Sequence, residues 1–204
     1  MARRRPQRPT QKVSSGNQQV RIIGGEWRGR KLNFPEIEGL RPTPDRVRET
    51  LFNWLSAYVP GGRCLDMFSG SGALGFEALS RGAIHVTMID NSAEVIHQLR
   101  QNIQELKSQH AELVTGSVVN WLEARSGDLE IQYDIVFMDP PFNKDLAPLC
   151  CLLLEQKKML ADNAMIYVET EKEMADLQVP DNWELYREKT AGQVTYRLYQ
   201  RRSC

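Results

Sequence analysis

The feature that most constrains this chain is a glycine turn set between two apolar runs. Residues 64–68 read as a strand and lead into Asp66-Met67-Phe68-Ser69-Gly70-Ser71-Gly72-Ala73-Leu74-Gly75, and 73–81 then reads as a helix. Gly70, Gly72 and Gly75 fit G-x-G-x-x-G, and Asp90 stands 20 residues after Gly70, closing the next apolar run at 84–89. Strand, glycine turn, helix, strand and acid in that order predict a β-α-β unit with a ligand at the carboxyl ends of its strands. The glycines permit a tight turn and close ligand approach, and the acid suits ribose hydroxyls.

The pattern continues. Further strand-like runs lie at 112–115, 134–138 and 164–169, separated by helix-like stretches at 92–107, 118–124 and about 146–158. Five strands joined by four helices predict a mostly parallel α/β sheet. The ending differs, because 183–189, Thr190-Ala191-Gly192-Gln193 and 194–200 read as a terminal antiparallel hairpin. Ahead of the sheet, 19–24 and 30–34 read as a small hairpin around Gly25-Glu26-Trp27-Arg28-Gly29. Pro42-Thr43-Pro44-Asp45 then turns into a helix marked by Val47, Leu51, Trp54, Leu55 and Tyr58, which stops at Pro60-Gly61-Gly62. The expected division is a basic flexible tail at 1–17, a hairpin and helix extension at 18–60, and the main domain at 61–204.

Charge is balanced overall but not along the chain. Residues 1–50 hold 12 basic and 5 acidic residues, a net +7 that the remainder cancels. A basic front end on a near-neutral body suggests an arm for a polyanion. With 41% hydrophobic and 25% charged residues the chain reads as a soluble globular protein. No apolar run approaches the roughly 20 residues of a membrane span, and no apolar segment follows the basic N-terminus as in a secretory signal. A cytoplasmic location is expected. Cys64, Cys150, Cys151 and Cys204 form no CxxC pair, so the expectation is buried reduced thiols and no metal site.

The glycine turn alone fits either a dinucleotide or S-adenosylmethionine. Asp66 separates them: a carboxylate beside the loop repels a pyrophosphate but attracts the ammonium of a methionine moiety. The chain also leaves no room for a second domain that would bind a hydride donor's substrate. The parallel sheet closed by an antiparallel hairpin is similar to the seven-stranded, Rossmann-like arrangement of class I methyltransferases.

The fourth strand of the series runs into Asp139-Pro140-Pro141-Phe142. This resembles the (Asp/Asn/Ser)-Pro-Pro-(Tyr/Phe/Trp) motif of methyltransferases that act on adenine N6, guanine N2 or glutamine side chains. An exocyclic amino nitrogen shares its lone pair with the ring and is a poor nucleophile. Acceptors at its two hydrogens draw it toward a tetrahedral, nucleophilic geometry. The Asp139 carboxylate and the Pro140 carbonyl can be those acceptors, and Phe142 offers a face on which a base can stack. On this reading Asp139 works as a charged hydrogen-bond acceptor and does not itself take a proton.

Longer stretches carry a closer resemblance: Arg21-Ile22-Ile23-Gly24-Gly25, Gly29-Arg30-Lys31-Leu32, Arg41-Pro42-Thr43-Pro44-Asp45-Arg46-Val47-Arg48-Glu49, the glycine loop and Asp139-Pro140-Pro141-Phe142. Through them the chain resembles the bacterial methyltransferases of guanine N2 in small-subunit (16S) ribosomal RNA, the RsmD type. The resemblance implies S-adenosylmethionine as cofactor, with Thr43 and Arg48 near its methionine end. The wider superfamily adds Asp66, Phe68, Gly70, Gly72 and Asp90, and Ser117 stands where an acid often contacts adenine. The hairpin places Trp27 among Arg21, Arg28, Arg30 and Lys31, a surface suited to unstacked RNA. Expected partners are ribosomal RNA in the small subunit or an assembly intermediate, with the protein a monomer. An adenine-N6 methyltransferase of DNA or RNA, a protein-glutamine methyltransferase and a non-catalytic RNA-binding assembly factor remain alternatives.

Overall fold

The computed structural model describes residues 18–126, 131–141, 146–172, 174 and 177–202. The expected tail at 1–17, Phe142 and Cys204 lie outside these described residues. The main sheet alternates strands and helices: β3 (Arg63–Asp66), α2 (Ala73–Ser80), β4 (His85–Asp90), α3 (Ala93–Leu106), β5 (Ala111–Thr115), α4 (Val118–Glu123), β6 (Tyr133–Met138), α5 (Leu146–Gln156) and β7 (Leu160–Glu171). The hairpin of β8 (Trp183–Ala191) and β9 (Val194–Arg201) completes it. The order is β5-β4-β3-β6-β7-β9-β8, with β9 antiparallel to both its neighbours and the other pairs parallel. Strand order therefore reverses at β3, where β4 lies on one side and β6 on the other. That is the crevice where the first-strand loop and the fourth-strand motif meet.

Each face of the sheet has its own apolar cluster. Cys64, Ile135, Phe137, Met165 and Tyr167 point to one face, and Leu65, Val136, Met138, Ile166 and Val168 to the other, as the two-residue period of a strand requires. The first face is covered by α2 and α3 and by an N-terminal extension made of β1 (Gln18–Arg21), β2 (Lys31–Phe34) and α1 (Asp45–Trp54). In α1, Val47, Leu51 and Phe52 are buried, and the Phe52 ring lies 5.8 Å from that of Phe137.

The first strand of the small hairpin is shorter than its sequence suggests. Beyond Arg21 the backbone of 22–29 turns to cap the end of α2: Glu26 N–H donates to Ser80 O at 2.7 Å, Trp27 N–H to Ser80 Oγ at 2.9 Å, and Ser80 Oγ–H to Gly24 O at 2.6 Å. A helix ends with carbonyls that lack intrahelical donors, and this loop supplies one. Cys64, Cys150 and Cys151 are buried free thiols, and burial raises all three, Cys150 to about 12. Among the described residues no helix is long and apolar enough to cross a membrane.

Candidate active site

At the reversal point a cleft open to solvent is lined by Arg41, Thr43, Asp66, Phe68, Ser69, Gly70, Ser71, Ala73, Leu74 and Asp139. Five of the residues that the sequence singles out, Thr43, Asp66, Phe68, Gly70 and Asp139, thus share one wall. The loop is held by its own backbone. Ser69 N–H reaches Ile89 O at 2.9 Å, Gly72 N–H reaches Ser69 O at 2.6 Å, and Ser69 Oγ donates to Asp66 O at 3.0 Å. Gly70 and Gly72 take φ of 49° and 75°, in the left-handed region where a side chain is strained.

Asp90 sits beside the loop and accepts from Gly70 N–H at 2.9 Å with one oxygen and from Ser92 N–H at 2.8 Å with the other. It therefore shapes the loop directly, in addition to whatever it offers a ligand. Residues 40–43 cross over the loop, and a Cβ at Gly70 would lie 3.8 Å from the Leu40 side chain.

Three sequence-derived site residues have other employment. Arg48 is 1% exposed and is absent from the cavity lining. Its guanidinium donates to Thr43 O at 3.1 Å, Arg21 O at 2.9 Å and Asp45 Oδ1 at 2.5 Å, and lies 3.5 Å from Glu77 Oε2. It reaches the cavity only by holding the Thr43 backbone. Ser117 is exposed, and its hydroxyl accepts from Asn120 N–H at 3.4 Å as the N-cap of α4, away from the lining. Trp27 is partly buried and packs on the apolar cluster beneath, so its ring is anchored to the body rather than held out as a platform. Around it Arg28 and Lys31 are exposed, Arg30 donates to Glu105 O at 3.2 Å, and Arg21 pairs with Asp45 at 3.1 Å.

The electrostatics are those of crowded carboxyl groups. Asp66 is buried, and burial pushes its carboxyl up to about 7; Gly75 N–H, 3.0 Å away, counters this and the Asp90 charge adds to it. Asp139, at the end of β6, is held well above the ordinary carboxylate range, first by burial and then by Glu169 and Asp66. The opening onto the cavity leaves it partly exposed and tempers the burial effect. Burial and the neighbouring acids thus work against the charged state expected for Asp139 from the sequence. Pro140, next to it, is buried.

The chain is similar to known proteins over most of its length. Residues 20–200 match the family described as Conserved hypothetical protein 95. The chain belongs to that family. It is 53% identical over 187 residues to Ribosomal RNA small subunit methyltransferase D of Escherichia coli (strain K12), covering 92% of each chain. It is 51% identical to the protein of the same name from Haemophilus influenzae, covering 89% of this chain and 94% of that one. A solved structure described as putative methyltransferase yhhF from Escherichia coli superposes with a TM-score of 0.83 at 51% identity, covering 92% of this chain and all of that one. The fold is that of a class I methyltransferase, as its strand order and terminal hairpin indicate.

The sequence reading missed Arg41, Ser69, Ser71, Ala73 and Leu74 in the lining, and Glu169 behind it. The small residues lie within the glycine loop and were within reach of the motif. Glu169 carries its own signal, an acid ending the apolar run 164–168.

Proposed function

We propose that this protein transfers a methyl group from S-adenosylmethionine to the exocyclic N2 of a guanine in small-subunit ribosomal RNA. The observation that carries the reading is the shared cavity, in which Asp139 of the Asp-Pro-Pro motif faces the glycine loop and Asp66. The cavity residues fit the cofactor. Asp66 is a buried carboxyl raised to about 7, the kind of group that a cationic ammonium would hold ionised. Asp90, beside the lining and bonded to Gly70 N–H, is assigned to the ribose hydroxyls, and Phe68 in the lining adds an apolar surface. When bound, S-adenosylmethionine supplies an already activated, electrophilic methyl group.

What the chain then does is orient and polarise. Asp139 and the Pro140 carbonyl accept from the two amino hydrogens, and the prolines fix that carbonyl in direction. Phe142, the aromatic member of the motif, is assigned the face on which the everted base stacks. Arg21, Arg28, Arg30 and Lys31 with Trp27 supply a basic face for RNA backbone on the N-terminal extension. The names of the relatives support ribosomal RNA of the small subunit as the substrate. Specificity comes partly from the prefolded surface of a subunit or assembly intermediate, and the protein acts as a monomer in the cytoplasm.

The direct test incubates the protein and methyl-labelled S-adenosylmethionine with small ribosomal subunits from cells lacking it, followed by nucleoside analysis. Label in N2-methylguanosine is expected. Label in N6-methyladenosine, DNA or protein would replace the substrate, and binding without any transfer would make the protein an assembly factor. Subunits are expected to accept label much faster than short naked oligonucleotides; equal rates would remove the prefolded surface from the account.

Gly72 gives a separate check on the loop. Its φ is 75°, and a Cβ there would lie 2.6 Å from both Leu99 Cδ2 and Phe76 Cε2. Gly72→Ala is expected to lower stability by about 1–3 kcal/mol through overpacking and strain, measured by chemical denaturation. It should also weaken S-adenosylmethionine binding in calorimetry. Unchanged affinity would place the cofactor away from this loop.

A further inference from the structure

Behind Asp139 stands a second carboxyl that the reaction described above does not use. Met138 pairs with Val168 in the parallel β6–β7 ladder, so the next residues on each strand, Asp139 and Glu169, continue side by side. Neighbouring strands lie roughly 4.8 Å apart. Strand alternation gives both acids the same face as Phe137 and Tyr167, the face on which Asp66 also lies two residues beyond Cys64. Glu169 is 5% exposed. It accepts from Tyr167 Oη–H at 2.7 Å and is hydrogen-bonded by the Thr43 side chain, so one group is tied to its own strand and the other to the segment that lines the cavity. Tyr196 of β9 pairs with it laterally and is also buried.

We propose that Glu169 and Asp139 act as one proton-holding pair, in which Glu169, fixed by Tyr167 and Thr43, makes Asp139 the acceptor of the proton lost by the amino nitrogen. This rests on the proposed amino-methyl transfer. As the N–C bond forms, the carbon–sulfur pair leaves with sulfur. One N–H bond of the methylated nitrogen then breaks, its electron pair stays on nitrogen, and the proton passes to an Asp139 oxygen. It goes on to water when the product departs. Any carboxylate takes a proton from the cationic methylated nitrogen; what the second carboxyl adds is a higher proton affinity, so that Asp139 holds the proton until the product departs. A neighbouring carboxylate in a poorly solvated site raises proton affinity, and matched basicity favours proton transfer.

The surroundings agree. The groups facing the pair are Asp66 from β3, Tyr167 from β7, Tyr196 from β9, and Arg41 and Thr43 from the crossing segment. Burial raises both carboxyls; the Tyr167 and Thr43 hydroxyls pull Glu169 back toward the ionised form, while Asp139 is pushed further by Glu169 and Asp66. A proton taken up by the pair is therefore held at Asp139. Glu169 is a positioning residue: it acts through Asp139.

The test follows the Asp139 carboxyl by 13C NMR across pH in the full-length protein without RNA, in wild type and Glu169→Gln. Glutamine keeps an acceptor for both hydroxyls and removes the charge. The Asp139 midpoint is expected to fall by one pH unit or more. The acidic limb of kcat/KM on small subunits should move down by a similar amount, with plateau kcat about 10-fold lower and KM little changed. If Glu169→Gln folds poorly, Tyr167→Phe serves instead: losing its hydroxyl leaves Glu169 more protonated, and the Asp139 midpoint should again fall. Glu169→Asp should retain most of the wild-type midpoint. A midpoint and limb unmoved by neutralising Glu169 would overturn the pair while leaving the methyl transfer standing. Titration shifts as expected in a protein inactive on RNA would support the pair and reject the reaction.

Discussion

Asp139→Ala is expected to lower kcat by about 10²–10³-fold while S-adenosylmethionine affinity stays within a few-fold of wild type. The magnitude follows from what the side chain is proposed to do. It holds one amino hydrogen in the transition state and takes the proton afterwards, and neither interaction is made in the cofactor complex. Single-turnover kinetics and calorimetry on the same preparation separate the two effects. Asp139→Asn should be nearly as slow, because an amide keeps an acceptor oxygen but no longer takes a proton. A large loss of cofactor affinity in either variant would move Asp139 from the reacting end of the cavity to the cofactor end.

The same substitution should not weaken the fold. Asp139 is held above its ordinary range, so the folded state binds more protons than the unfolded state in the window above the usual carboxylate value. Stability from such a group is present at low pH and falls as pH rises through that window. For Asp66 the window runs from 3.8 to about 7. Removing one of the crowded acids should therefore leave the cofactor-free protein as stable as wild type at neutral pH, or more so. The site holds repulsion for the sake of chemistry.

What could be read directly from sequence were the places where chemistry follows a strand. Asp66, Gly70, Gly72 and Asp139 each come just after an apolar run, and the ends of parallel strands converge whatever the intervening helices do. The alternation of runs was enough to find β3 to β7 and the closing hairpin, because β3, β4, β6, β7 and β9 are largely buried and β5 and β8 are the edge strands beside them. β7 begins earlier than its apolar run: Leu160 pairs with Tyr133, the ladder shifts register before Ile135, and Asn163 has φ 61°. A shifted ladder leaves no periodic trace in a single strand. Glu169 escaped for a related reason. An acid at a strand end is common, and this one acquires meaning only from its lateral neighbour, which depends on β6 and β7 being adjacent and in register. The burial of Arg48 was not legible in the same way, because an arginine's burial is decided by its partner, here Glu77, 29 residues along the chain. The signal existed in Glu77 itself, the single charge in the otherwise apolar Ala73–Ser80.

Glu77→Ala should be among the most destabilising single changes in this protein, by about 3–5 kcal/mol. Glu77 is fully buried, and its carboxylate closes three links at once: Arg81 Nε at 2.7 Å, Arg48 Nη1 at 3.5 Å and Ile23 N–H at 2.9 Å. Alanine would leave the Arg48 guanidinium, 1% exposed, without this partner and strand the Ile23 N–H. At roughly 2–4 °C per kcal/mol for a chain of this size, Tm should fall by about 10 °C. Thermal melts across ionic strength check the assignment, since a buried network is little screened by salt whereas surface pairs are. Pairing the change with Arg48→Met should recover part of the loss, because two apolar side chains no longer bury an uncompensated charge. Function should not recover with it. Arg48 holds the Thr43 carbonyl and the Arg21 carbonyl, so the double variant is expected to fold yet bind S-adenosylmethionine at least several-fold more weakly. Equal recovery of stability and affinity would mean that the Arg48–Glu77 link serves only to hold the extension down.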